Sequence, residues 1–284
     1  MKTIFETFKK SIYNPVFYQN AITTPMSDIV RYYIKFSLLL SAIMTIALGI
    51  LLIPQGVTFV KEHAPELVKS YFPAELTIHI EKGLASVNVA EPYIVAGKNG
   101  SQAVLKDQGL ESMLVIDTKN DFNKKKFEEY KTFALLTKTE IVTRGNEGQI
   151  TIQDLRAMPD ASINQEWLLS WVEKTRNSLG YIIFFGLIGL FMAMLLGYLK
   201  YFIVLLIFAL IPRLVAYLKK MPLSYSGAYK MSLYAIVPAL ALKTLLNILG
   251  VFFIPAYFTF LVFMLIIAIN MKETEEPTLF ETNK

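Results

Sequence analysis

The sequence predicts a multi-pass α-helical membrane bundle of five hydrophobic segments, with one extracytoplasmic α+β domain inserted between the first and second. Three observations carry that prediction. The chain is 54% hydrophobic with a mean hydropathy of +0.44, too apolar for an ordinary soluble domain. Its charge is unevenly divided: residues 54–178 hold fifteen Lys/Arg against seventeen Asp/Glu, and the remainder holds thirteen against six, mostly beside apolar runs. That is the positive-inside pattern, and neither a basic face nor a motif for nucleic acid accompanies it. Finally, the block 179–218 is forty residues long with only Lys200 and Arg213 charged. As continuous helix it would run about 60 Å, twice a hydrocarbon core of about 30 Å.

Residues 1–32 read as a cytoplasmic segment. Ile4, Phe5, Phe8 and Ile12 share a helical face with Lys2, Lys9 and Lys10 largely elsewhere, which suits a short helix on the inner membrane surface. Pro15 ends that run. The first transmembrane helix, 33–54, is flanked by Arg31 and Lys35 and closed by Pro54; as an uncleaved signal anchor it leaves the N-terminus cytoplasmic.

Residues 55–177 then lie outside and read as one α+β domain, long enough to bury its own core. Residues 65–71 suit a short helix with Pro65 in its first turn. Residues 76–80 and 84–89 alternate around Glu81-Lys82-Gly83 as a hairpin. Residues 113–117 and 133–136 are apolar strands with a helical stretch, 122–130, between them. Residues 140–143 and 149–153 flank the turn sequence 144–148 as a second hairpin. The expectation is five to seven strands in one twisted sheet. Ser162 and Gln165 are spaced as a capping box opening a helix on which Trp167, Leu168, Trp171 and Val172 form one face. That face either docks on the domain or rests at the lipid interface.

Residues 178–271 supply four further apolar segments, about 179–199, 201–218, 229–249 and 251–271, followed by a polar tail, 272–284, rich in glutamate. Gly186, Gly189, Ala193 and Gly197 recur at three- and four-residue steps, the spacing of a helix-packing seam. Lys200 marks a boundary inside the long block. If 201–218 spans fully, the 219–230 loop and the C-terminus lie outside; if it is re-entrant or in-plane, both lie inside. Lys219, Lys220 and Lys230 favour inside, while the apolarity of 201–218 favours a full span.

The chemistry is defined by what is missing. No Asp or Glu occurs between Asp28 and Glu62 or between Glu173 and Glu273, so the intramembrane carboxylate common in cation-coupled transporters is lacking. There is no cysteine, and the two histidines, His63 and His79, lie outside the spans. Intramembrane protease constellations and phosphate-binding glycine loops are likewise missing from the sequence. The expectations are no catalytic, cofactor-binding or metal residues, and no enzyme. One candidate intramembrane polar site remains: Lys243 and Asn247, one helical turn apart, suit an anionic ligand or a lipid headgroup. In the outer domain, Asp117, Asp121, Glu128 and Glu129 with Lys124–Lys126 form a mixed charge cluster that reads as solvated surface.

Ser11-x-Tyr-Asn-Pro-x-Phe-Tyr18, Tyr71-Phe-Pro-Ala-Glu-Leu-Thr-Ile78, Glu91-Pro-Tyr93 and Val115-Ile-Asp-Thr118 together resemble an uncharacterised family of bacterial membrane proteins. That family is mostly Gram-positive, is described as a domain of unknown function, and includes members with a maltodextrin-utilisation label. The stretch Tyr229-Lys-Met-Ser-Leu-Tyr-Ala-Ile-Val-Pro238 is similar in outline to the Yip-type membrane domain. The resemblance implies a plasma-membrane location and this architecture, and at most a link to sugar uptake; it supplies no catalytic residues. Two functional readings follow. One is a non-enzymatic binding, sensing or accessory protein acting with the bilayer and another membrane protein, such as a transport component. The alternative is a transporter or permease subunit.

Overall fold

The computed structural model describes residues 2–97, 100–145, 149–251, 254–255 and 257–271. The glutamate-rich tail and residues 146–148 of the second expected hairpin turn lie outside the described residues. In chain order the elements are α1 (Lys2–Ile12), α2 (Pro15–Thr23), α3 (Met26–Thr58), α4 (Ala64–Tyr71), β1 (Thr77–Glu81), β2 (Leu84–Val87), β3 (Tyr93–Ala96), α5 (Gly100–Asp107), β4 (Ser112–Asp117), α6 (Lys124–Glu129), β5 (Thr132–Thr137), β6 (Glu140–Arg144), β7 (Ile150–Asp154), β8 (Ala161–Asn164), α7 (Gln165–Leu199), α8 (Tyr201–Phe208), α9 (Leu210–Leu218), α10 (Tyr225–Ile248) and α11 (Phe258–Asn270). They fall into two units, Pro54–Ile182 with the sheets and Met1–Ile53 with Ile183–Lys284, which is helical.

The sheet unit holds eight strands among its described residues, in two sheets rather than the single sheet expected: β2-β1-β8, and β3-β4-β5-β6-β7. In the larger sheet β4 and β5 run parallel, joined through α6, and the other pairs are antiparallel. Both faces of its centre are covered. Val115 and Leu135 face one side with Phe127 of α6 and Val142. Their neighbours Ile116 and Leu136 face the other, where Leu76, just before β1, and Ile78, Ile80 and Ala85 of the smaller sheet meet them. The strand period of two makes adjacent residues serve opposite layers, which is why residues 113–116 are continuously apolar.

The first hairpin has a two-residue turn, Lys82 (φ 49°) and Gly83 (φ 78°), which closes Glu81 against Leu84. Positive φ at both positions matches the right-handed twist of the flanking strands. A Cβ on Gly83 would stand 2.5 Å from Arg156 Cγ and 2.8 Å from its Cα, so glycine is required twice over. The capping box expected at Ser162 and Gln165 does not form. Residues Ala161–Asn164 pair with β1 as an edge strand. Asn164 is the cap, accepting from Trp167 N–H at 2.7 Å, and Gln165 Nε2 donates to Phe72 O at 2.7 Å. Backbone pairing from a neighbouring strand outweighs a local cap that contributes about 1 kcal/mol.

Three helical stretches are long and apolar enough to cross a membrane: Met26–Tyr71, Gln165–Leu218 and Tyr225–Ile248; Phe258–Asn270 is a shorter apolar helix. Pro54 does not end the first of them as expected. It lies inside α3, and a π-helical turn, Phe59–His63, leads into α4. A proline removes one i→i−4 bond and displaces one carbonyl, which kinks a helix without stopping it where flanking turns are intact. By contrast, residues 201–218 are divided. Pro212 would press its ring on the Phe208 carbonyl, and α8 stops at Phe208 with α9 restarting at Leu210. At 1.5 Å per residue α8 and α9 are about 12 and 14 Å long, and neither alone reaches across about 30 Å.

Helix α10 is the hub of the helical unit. Residues 231–240 along it are all buried, and their neighbours come from α1, α2, α8, α9 and α11. Ala228, Ser232, Ala235 and Ala239 are each fully buried. Small residues at these steps let neighbouring helices approach closely. Among the described residues, α10 thus carries a small-residue packing seam. On α7, where it was expected, a Cβ built on Gly186, Gly189 or Gly197 meets nothing within 4 Å, and Ala193 is exposed. Gly49 of α3 does stand close to α7, its built Cβ lying 3.2 Å from Leu187.

Candidate functional site

At one end of the helical unit several chain segments are fastened by buried polar groups. Asn14 caps α2, its Oδ1 accepting from Phe17 N–H at 2.9 Å, with Pro15 in the first turn where no N–H is needed. Tyr18 hydroxyl, fully buried, donates to Ser11 O at 2.6 Å. From the far end of the sequence, Asn270 accepts from Asn14 N–H at 2.6 Å and donates to Ile12 O at 3.0 Å and Ile266 O at 2.9 Å. The Asn-Pro-x-Phe-Tyr motif is thus a hinge between α1 and α2 clasped by the last turn of α11.

Two lysines of the 219–230 region join this end with no carboxylate partner among the described residues. Lys230 Nζ donates to Ile22 O at 3.0 Å near the end of α2, and Lys219 Nζ donates to Met271 O at the end of α11. Terminal helix carbonyls lack intrahelical partners and carry the negative end of the helix dipole, so ammonium groups suit them. The 219–230 connection, the α1–α2 segment and the end of α11 consequently lie together. The α8–α9 corner reaches the flank of α11, with Phe208 4.8 Å from Phe260 between ring centroids.

Farther along, Tyr33 hydroxyl donates to Tyr198 O at 2.6 Å, and Tyr198 hydroxyl pairs with Thr244 Oγ1 at 2.6 Å, tying α3, α7 and α10. Thr244 is buried between the expected polar pair, whereas Lys243 and Asn247 are each half-buried. Neither side chain takes part in a hydrogen bond or ion pair with the described residues. Lys200 sits in the break between α7 and α8 with its ammonium 5.6 Å from the Tyr201 ring.

In the sheet unit the mixed charge cluster separates into parts. Asp117 is 5% exposed and accepts from Asn120 Nδ2 at 2.8 and 3.0 Å and from Tyr130 hydroxyl at 3.0 Å. Burial, then that carboxylate, raises the Tyr130 phenol above its ordinary value. Glu128 pairs with Arg144 at 2.8 Å, and Arg144 covers the Phe127 ring at 5.0 Å. Asp117 is a structural pin, and the others are surface pairs of small energetic weight. His79 lies in register between Ser86 and Ser162 on neighbouring strands. Among the described residues no group of three His, Cys, Asp or Glu is placed to hold a metal ion.

The sheet unit does have an apolar groove, of about 510 Å³, lined by Leu67, Val68, Tyr71, Phe72, Met113 and Leu168. Its walls come from α4, the start of α7 and β4. Leu168 thus belongs to the domain surface, while Trp167 and Trp171 pack together at 5.7 Å and stay 38% and 52% exposed. Of the two fates expected for this helix face, docking on the domain holds for Leu168. Sequence reading missed the groove because its lining is drawn from three separated segments; it also missed Asn270, an Asn closing an apolar run.

No curated protein and no solved structure matches the chain. The family model described as "Protein of unknown function (DUF1189)" matches residues 5–271, which takes in both units, and the chain belongs to that family.

Proposed function

We propose that the protein is a multi-pass plasma-membrane protein of non-enzymatic binding or accessory function, whose sheet unit captures an apolar segment of another membrane protein outside the cell. The observation that carries this reading is the apolar groove between α4 and α7. An open apolar surface of this kind, flanked by exposed tryptophans, favours a partner with side chains to bury. The test is a photo-crosslinking residue at Met113 or Leu168 in living cells. A discrete crosslinked protein band, lost when Leu67→Glu is added, is expected. Crosslinks to lipid alone, or none, would refute the reading.

The same proposal assigns sides. Residues 1–23, the 219–230 connection and the C-terminal end of α11 are cytoplasmic, residues 55–177 are outside, and α8–α9 is re-entrant. The clasp between Asn14 and Asn270 and the bond from Lys230 to Ile22 O support this, since they gather those segments at one end. Reporter fusions at Ser226 and at Lys284 should both report cytoplasm; an external signal from either overturns it. The permease alternative, with any link to sugar uptake, predicts solute flux in reconstituted vesicles that Lys243→Ala abolishes.

A further inference from the structure

A second cavity, of about 250 Å³, opens at the end of the helical unit where α1, α3 and α10 meet. Its lining includes Asp28, Arg31 and Lys35 from α3, together with Tyr32 and Tyr234. Arg31 and Lys35 are one helical turn apart and so share a face. Among the described residues their charges are only partly neutralised. Arg31 reaches Asp28 only at 3.8 Å in an exposed pair, and Lys35 has neither an ion pair nor a hydrogen bond among the described residues. The tally at the cavity is two cations against one carboxylate.

The phenol of Tyr234 adds a donor. That residue is only 6% exposed, its ring packs 5.5 Å from Tyr32, and its hydroxyl has no hydrogen bond among the described residues although it lines this cavity. Tyr32, on the same lining, carries a buried hydroxyl with no hydrogen-bond partner among the described residues, which is costly unless something else satisfies it. Position matters as well. Beyond Lys35 the chain has no charged residue until Lys61, and Ile34 and Leu38 are each 39% exposed. The cavity therefore stands where an apolar helix surface gives way to charge, the level at which phosphates of a bilayer lie.

We infer that this cavity is a binding site for a phosphate-class anion, held by the Arg31 guanidinium, the Lys35 ammonium and the Tyr234 hydroxyl. Guanidinium presents a planar fork that matches two phosphate oxygens, and lysine adds a point charge. Asp28 at the rim weakens the site by its own charge. The headgroup of an anionic phospholipid is the source that the location favours, and free phosphate offers the same chemistry. The inference does not rest on the groove of the sheet unit, and it differs from the candidate pair Lys243 and Asn247, which lie far along α10.

The test uses the full chain in detergent micelles, with lipid adducts counted by native mass spectrometry. The probes are phosphatidylglycerol, phosphatidylcholine and, separately, inorganic phosphate followed by thermal unfolding. Phosphatidylglycerol should bind at least tenfold more tightly than phosphatidylcholine. Arg31→Gln with Lys35→Gln should remove that preference, and Asp28→Asn should increase it. Lys9→Gln with Lys10→Gln makes the same charge change on exposed positions of α1 and should alter binding less than twofold. Stabilisation by inorganic phosphate with the same variant pattern would support the site with a soluble source. Equal binding of both lipids with no phosphate effect, unchanged binding in the Arg31/Lys35 variant, or equal loss in the Lys9/Lys10 variant would overturn it. Lys35→Arg, which keeps the charge, should retain the binding that Lys35→Gln loses, and this separates loss of the site from loss of folding.

Discussion

Replacing Asn270 by leucine tests the clasp that joins the N-terminal helices to the end of α11. The side chain is 1% exposed and makes three hydrogen bonds, to Asn14 N–H, Ile12 O and Ile266 O. The Ile266 carbonyl lies in the same helix and loses little. Asn14 N–H and Ile12 O lose the partner that links them to α11, and leaving a buried polar group unmade costs about 1–3 kcal/mol. Allowing water to reach part of this end, the total is about 2–4 kcal/mol, or roughly thirty- to a thousandfold in the opening equilibrium at 1.4 kcal/mol per tenfold. The opening should be local, freeing α1 and α2 rather than unfolding α10. Limited trypsin digestion in micelles reads it directly, since Lys9 and Lys10 lie in α1. Cleavage there should accelerate at least tenfold in Asn270→Leu, with cutting inside the sheet unit unchanged. An unaltered digestion rate at Lys9 and Lys10 would refute the reasoning.

Three further outcomes follow from backbone and charge. Lys220 (φ 53°) occupies the left-handed position ending α9, where Lys220 N–H bonds Tyr217 O and Met221 N–H bonds Ala216 O; Gly250 (φ 86°) does the same for α10. Lys220→Gly should stabilise and Gly250→Ala destabilise the helical unit by about 1 kcal/mol each, measured by thermal unfolding in micelles. Gly83→Ala meets both a positive φ and the Arg156 backbone, and should cost about 2 kcal/mol or more. Protease sensitivity of the sheet unit reports that loss. The Arg156 side chain beside Asp154 holds its carboxyl below the usual value. The resulting stabilisation is present above about pH 4 and is lost as pH falls through the lowered value. Asp154→Asn should therefore reduce the acid sensitivity of the sheet unit in a pH series of unfolding curves, and an unchanged acid limb would contradict it.

Local pattern carried much of the fold. The alternation around Lys82–Gly83, the apolar runs of β4 and β5 and the helix opening at Pro65 each follow from residues adjacent in sequence. The errors arose where a distant segment supplied the partner. Residues 161–164 carry a capping signature, yet β1 is available to pair with them, and the strand forms. Pro54 and Pro212 carry the same local information: one lies within a continuing helix, and the other coincides with a break that lets α8–α9 turn toward α11. The groove and the Asn14–Asn270 clasp were illegible for the same reason, since each joins segments far apart in the chain.

By itself the sequence determined that this is a chain of long apolar helices with a separate sheet-bearing region, because hydropathy and period are properties of each residue and its near neighbours. It also determined that the long apolar runs carry no carboxylate. Only the tertiary structure decided which helix is central and where the unpaired lysines end. The small residues of α7 and α10 are spaced alike, but those of α10 are covered by helices from both ends of the chain. The partners of Lys219 and Lys230 cannot be read from composition; among the described residues, helix-terminal carbonyls brought near by folding supply them.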